Sequence, residues 1–375
     1  MVQAFKVAWS EAEVDALKRR LADCPLPPAP QGAGWGLGCD RDFLERFRDH
    51  WLGSYDWKAA MADLNRYPQF IAEVDGQAIH FVHVESPVAD ARPLLLTHGW
   101  PGSHYEFWGV IDRLSEAGFD LVIPSLPGYA FSGKPSQPIG PKTTARLWDG
   151  LMKLLGYDQY LAQGGDWGAL VTGQLGLNHA DSVRGVHLNL LGLRSTAPPQ
   201  NDAEAEWAAK SAAAYQRLSG YSAVQMMKPL SLGWLGAGNP LGQAAWVLER
   251  FHDWADLSVG DLEAVFGMDH LVTNVMLYVM PDSFASSLWF YHGMIREGGP
   301  NVPAGQRCEG PTGFAAFPGD ALSPVPPRSR VELCFNLMHW SEPDEGGHFA
   351  AMEKPGLFAA DVIEWAGKVW PVENK

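Results

Sequence analysis

From about residue 68 onward, short and nearly continuous apolar runs alternate with segments of helical length. This alternation restricts the fold more than any other feature of the chain. The runs fall at residues 93–97, 121–126, 160–163 and 183–190, and the helix-length segments at 143–155 and 168–179. Strands that are apolar on both faces must be covered on both, which implies parallel pairing in an α/β sheet. A hairpin precedes them, with Gln69–Val74 and residues 77–85 flanking the two-residue turn Asp75-Gly76.

The flanking text differs in character. Residues 10–22 predict a helix, with Ser10 and Glu13 at capping-box spacing and Val14, Leu17 and Leu21 on one face. Pro25, Pro27 and Pro28 stop it. Asp40 is placed to cap a second helix that turns Phe43, Leu44, Phe47 and Trp51 inward, and a third short helix surrounds Trp57, Met61 and Leu64. This front piece shows little strand signal and is expected to wrap a larger body rather than fold alone. Strand signals fade again between about residues 195 and 297. There 202–218, 241–254 and 262–278 predict helices, with Gly220 placed to end the first. They return at 313–317 and 331–340, before a final helix at 355–370. The expected organisation is a wrapping segment (1–85), a first core part (86–194), an inserted helical lid (195–297) and a second core part (298–375).

Composition narrows the function. The 375-residue chain is 46% hydrophobic and 19% charged, so it is globular, and its net charge of −15 without a basic block argues against nucleic acid. Four cysteines without a CxxC pair suggest neither a disulfide scaffold nor zinc, so reduced thiols and a cytoplasmic location are expected. No apolar run of about 18 residues suggests a membrane span, and the N-terminus has no signal-peptide h-region.

Three stretches carry chemistry. Gly164-Gly165-Asp166-Trp167-Gly168 has the form of the G-x-S-x-G nucleophile elbow with aspartate in the serine position. An elbow needs small flanking residues because a strand turns sharply into a helix there. The alternative is an ordinary turn with Asp166 as a helix N-cap. In His98-Gly99-Trp100-Pro101-Gly102, an apolar strand runs into the loop that supplies one oxyanion-hole amide in α/β-hydrolases. The donors would be the backbone N–H groups of Trp100 and of Trp167. His98 reads as a structural pin for that loop. Gly346-Gly347-His348-Phe349 comes last in the chain, where a nucleophile–acid–histidine order puts the general base, so His348 is singled out among 12 histidines. Asp320, after the strand-like 313–317, is the preferred orienting carboxylate, with Glu342, Asp344 and Glu345 as the alternatives.

Taken together, these stretches resemble epoxide hydrolases of the α/β-hydrolase superfamily, in the branch that includes the microsomal enzymes. The resemblance spans nearly the whole chain. It is carried by Leu64-Asn65-Arg66-Tyr67-Pro68-Gln69-Phe70, His98-Gly99-Trp100-Pro101-Gly102-Ser103, Pro124-Ser125-Leu126-Pro127-Gly128-Tyr129, Pro311-Thr312-Gly313-Phe314 and Gly347-His348-Phe349-Ala350-Ala351. It implies an α/β-hydrolase fold with a helical lid, and two lid tyrosines, Tyr221 and Tyr291, as proton donors. The text departs from the branch at Gly238-Asn239-Pro240, at Asp320 where several relatives carry glutamate, and at His104.

The implied reaction has a physical rationale. Serine attacking an epoxide carbon would leave a stable ether, whereas a carboxylate leaves an ester that water can cleave. Ring opening develops an alkoxide, which the tyrosines would protonate. The expected substrate is an apolar epoxide, aryl epoxides being one candidate class, with water as co-substrate and neither metal nor organic cofactor. A homodimer is the common arrangement for such enzymes. The rival from the same site is a haloalkane dehalogenase, which shares the aspartate and histidine. A catalytically silent binding protein is a third reading, disfavoured because every required group is present.

Overall fold

The computed structural model describes residues 1–371. The N-terminal part contains β1 (Val2–Phe5), α1 (Glu11–Asp23), α2 (Arg41–Gly53) and α3 (Trp57–Leu64). Ser10 closes a capping box with Glu13, and Asp40 and Asp56 cap α2 and α3. The hairpin β2 (Gln69–Val74) and β3 (Gln77–Val84) follows, then β4 (Arg92–Thr97), α4 (Ile111–Glu116), β5 (Phe119–Pro124), α5 (Pro141–Leu154), β6 (Tyr160–Gly164), α6 (Trp167–Asn178) and β7 (Val183–Leu188).

Beyond β8 (Arg194–Ser195) the chain is helical: α7 (Asp202–Leu218), α8 (Gly220–Met227), α9 (Pro229–Gly236), α10 (Pro240–Trp254), α11 (Leu262–Phe266), α12 (Met268–Val279) and α13 (Phe284–Arg296). It closes with β9 (Asn301–Val302), β10 (Cys308–Ala315), α14 (Arg328–Glu332), β11 (Phe335–Ser341), α15 (Ala350–Glu353) and α16 (Pro355–Val369).

Nine strands form one sheet in the order β1-β2-β3-β5-β4-β6-β7-β10-β11. The pairs from β5 to β11 are parallel, and those joining β1, β2, β3 and β5 are antiparallel. Every residue of β4 and β6 is buried, as their unbroken apolar text requires. This is the mostly parallel, helix-flanked sheet that the alternation implied.

The register places the chemistry. Thr97 at the end of β4 pairs with Gly164 at the end of β6, so the two following loops leave the sheet side by side. Only glycine permits that approach. A Cβ on Gly168 would collide with the Thr97 carbonyl, and one on Gly99 with the Asp166 side chain.

Four sequence expectations need correction. The front piece does contribute a strand, β1, whose four mostly exposed residues carry no alternating apolar signal. The helix expected at 262–278 is two, α11 and α12, broken at Gly267, whose φ of +77° is outside the helical region. The run expected as one strand at 331–340 begins as α14, and β11 starts only at Phe335. Gly220 does not terminate a helix but opens α8, after Ser219 has capped α7.

Candidate active site

Asp166 sits between β6 and α6 with φ +47° and ψ −123°, and its side chain makes no cap hydrogen bond. A strained non-glycine residue at a strand-to-helix turn is what a nucleophile elbow requires. The ordinary N-cap alternative is therefore set aside. The backbone turns the carboxylate toward the neighbouring loop, where the Trp100 N–H donates to its Oδ1 at 2.8 Å. Trp167 is the first residue of α6, so its amide has no intrahelical partner.

His348 approaches from the C-terminal side. Its Nδ1 lies 2.9 Å from Asp320 Oδ2, and its Nε2 lies 3.5 Å from Asp166 Oδ2. Asp320 is itself held, its Oδ1 accepting from the Leu322 and Ser323 amides at 2.9 Å each. Burial alone would depress the His348 pKa. The Asp320 charge, with the Asp166 carboxylate behind it, reverses this and holds the imidazole well above its usual value. Of the carboxylates weighed for the orienting position, Asp320 is the one at hydrogen-bond distance; Glu342 accepts from Trp340 and Glu345 from Lys354.

Tyr221 on α8 and Tyr291 on α13 converge on the same point, both buried. Tyr221 stacks on Trp100 at 5.4 Å between ring centroids, and Tyr291 meets Trp167 edge to face at 4.5 Å. The two tyrosine rings lie 5.8 Å apart. Burial first, then the Asp166 charge, pushes the Tyr221 pKa up, with Arg250 acting in the opposite sense. For Tyr291 burial again leads, followed by Tyr221 and Asp166. Both phenols therefore keep their protons in the resting site. His98 is fully buried, its Nδ1 against the Gly99 carbonyl and its Nε2 accepting from the Leu126 amide, which agrees with a structural pin.

Asp166, Trp167, Tyr221 and Tyr291 line a cavity of about 360 Å³. The rest of its wall is mostly apolar and includes Leu170, Leu191, Met226 and Met294. Among the described residues, no cluster of three or more histidines, cysteines or acids is placed to hold a metal. No helix of the described residues is long and apolar enough to cross a membrane.

Sequence reasoning missed several residues here, because each acts across a long separation. Glu353 clamps the histidine loop, its two oxygens accepting from the amides of Gly347, Phe349 and Asp256. Trp254 at the end of α10 packs against Trp100, Tyr221 and His348, and its carbonyl accepts from the His348 amide at 3.2 Å. Arg250, one turn earlier, lays its guanidinium 5.1 Å from the centre of the Tyr221 ring. Glu106 contributes a further carboxyl, which desolvation pushes up to about 8. The His348 charge opposes that shift and the Asp166 charge adds to it. A capping-type glutamate in a short turn gives no sequence signal for such a position.

Comparison with known proteins agrees with this geometry. Residues 2–107 match the family described as epoxide hydrolase N terminus, and residues 92–278 match the alpha/beta hydrolase fold. The chain is 33% identical to epoxide hydrolase 1 of Oryctolagus cuniculus, over 98% of this chain and 89% of that protein. The structure of Aspergillus niger epoxide hydrolase superposes with a TM-score of 0.86 at 32% identity, covering 99% of this chain and 97% of that one. The juvenile hormone epoxide hydrolase of the silkworm Bombyx mori gives a TM-score of 0.89 at 27% identity, covering 100% and 96%. An elbow aspartate facing a histidine and two tyrosines, on a sheet and N-terminal segment shared with these proteins over nearly their full length, leads to one assignment: the chain belongs to the epoxide hydrolases and is a hydrolase of the α/β-hydrolase fold.

Proposed function

We propose that the enzyme opens an epoxide with an apolar body to a vicinal diol through a covalent ester on Asp166. The observation that carries this reading is the division of labour on one carboxylate. Oδ1 is held by the Trp100 amide, and Oδ2 lies 3.5 Å from His348 Nε2. Oδ2 attacks an epoxide carbon and the carbon–oxygen bond of the ring breaks. The departing alkoxide takes a proton from Tyr221 or Tyr291. The product of this half-reaction is a hydroxyalkyl ester whose carbonyl oxygen, Oδ1, already lies against an amide donor.

Ester formation also prepares the second half. It removes the negative charge of Asp166, one of the causes that keep His348 protonated. In proton count, the proton released by the imidazolium replaces the one the tyrosine gave up. Neutral His348, oriented by Asp320, then takes a proton from water as hydroxide adds to the ester carbonyl. The amides of Trp100 and Trp167 hold the oxyanion. Collapse expels the diol's oxygen, which takes the proton from His348, and the carboxylic acid left on Asp166 then gives its proton to the imidazole, restoring the resting pair. Residues 195–297 act in this scheme as a lid that brings both tyrosines over the elbow, and residues 1–85 as a wrapping segment. Four unpaired cysteines support a reducing, cytoplasmic location.

The test traps the intermediate. His348→Gln is offered aryl epoxides and haloalkanes, and the product is mapped by mass spectrometry. An adduct on Asp166 equal to a whole epoxide is expected. An adduct equal to a haloalkane minus hydrogen halide, or an epoxide adduct elsewhere, overturns the reading.

A further inference from the structure

The wall of the active-site cavity holds two charged residues, Asp166 and Arg194. Arg194 is exposed, and it lines both this cavity and an adjoining one, which places it toward the solvent end of the chamber. Its backbone is fixed, because β8 pairs with β9 and the Arg194 amide donates to the Pro300 carbonyl at 3.1 Å. The side chain is uncommitted. Other arginines of this region are held: Arg330 lies 3.5 Å from Glu204 and donates to the Ser195 and Ala197 carbonyls, and Arg250 pairs with Glu249. Among the described residues no carboxylate pairs with Arg194. A free guanidinium at a cavity mouth is conspicuous in a chain of net charge −15. The same cavity wall also carries Ser211, Tyr215, Ser219 and Ser323.

We infer that the preferred substrate is an amphiphile: an epoxide at one end of an apolar chain, opened at Asp166, with a carboxylate at the other end that pairs with Arg194. The inference rests on the epoxide-opening reading and narrows its substrate class. A mostly apolar cavity that holds the nucleophile and an exposed, unpaired cation matches such a molecule in polarity and charge. Guanidinium is suited to the task because it binds carboxylate in bidentate fashion.

The experiment measures kcat/KM for a homologous series of ω-epoxy fatty acids and their methyl esters, alongside a neutral aryl epoxide. Wild-type enzyme should favour the acid over its ester by roughly tenfold at the best chain length. The preference should shrink as ionic strength rises. Arg194→Gln should collapse the acid-to-ester ratio toward one, and Arg194→Lys should retain part of it. Equal turnover of acid and ester by the wild type, or an unchanged ratio in Arg194→Gln, overturns the inference. Turnover of the neutral aryl epoxide in the same assay leaves the parent reading standing in that case, whereas failure to form any Asp166 ester with all of these epoxides removes both.

Discussion

His348 presents Nε2 to Asp166 Oδ2 at 3.5 Å while Nδ1 is fastened to Asp320 at 2.9 Å. The imidazole thus lies between two carboxylates whose charges raise its pKa, and on the proposed mechanism its basicity changes when Asp166 is esterified. Asp166→Asn removes one of these charges. Nitrogen-15 histidine titration by NMR should therefore show the His348 pKa lower in Asp166→Asn than in wild type. An equal or higher value would mean that Asp166 does not set the protonation of the base.

On the proposed mechanism the two phenols serve only the ring-opening half-reaction. Tyr221→Phe with Tyr291→Phe should slow ester formation by about 10²–10⁴-fold. Rapid-quench trapping of the ester measures this step directly. Hydrolysis of an ester already formed should be slowed far less. A double variant that alkylates at the wild-type rate would show that protonation comes from elsewhere.

Asp320→Asn has the opposite signature. The ester should form, then persist, because the imidazole has lost its orienting anion; turnover should fall by roughly 10²-fold or more. The fraction of enzyme carrying the ester at steady state, read by intact mass, should rise. A fall in the alkylation rate without ester accumulation would assign Asp320 to the first step instead.

These predictions draw on features of unequal visibility. The elbow, the Trp100 loop and the Gly347-His348 loop were legible because each is a backbone problem with a compositional answer. Gly99 and Gly168 stand where side chains would collide. Arg250 over Tyr221 and Glu353 beneath the histidine loop were not legible. They are meetings of distant segments, and the local text of a helix does not reveal what its buried arginine faces. The same holds for β1, which is a strand because β2 offers a partner and not because Val2–Phe5 has a strand pattern.

The Glu106 carboxyl yields a stability prediction with a definite sign. Its folded pKa is about 8, above the ordinary value of 4.5. Between those limits the folded state holds a proton that the unfolded chain releases, so this group's contribution to stability is present at low pH and declines as pH rises. Glu106→Gln lacks that titration. Its melting temperature relative to wild type should therefore climb between pH 5 and 8, as followed by thermal unfolding across that range. A difference that is flat or falling with pH would contradict the buried, protonated assignment.

Gly168→Ala tests the close approach of the two loops. The added methyl has only the Thr97 carbonyl to move against. Overpacking against backbone should cost about 1–3 kcal/mol or more, measured by urea unfolding. Unchanged stability would mean that β4 and α6 are less tightly apposed than described.

The β1–β2 pairing bears on a hazard unrelated to catalysis. A long sheet edge with free N–H and C=O groups is a template for edge-to-edge aggregation. Without β1, the six-residue, half-buried β2 would stand at that edge. With it, the sheet ends in a four-residue strand whose side chains are mostly exposed, an outline too short to recruit another chain. The strand β1 thus acts as a selvedge for the sheet, and deleting Val2–Phe5 would be expected to show first in colloidal behaviour and only later, if at all, in turnover.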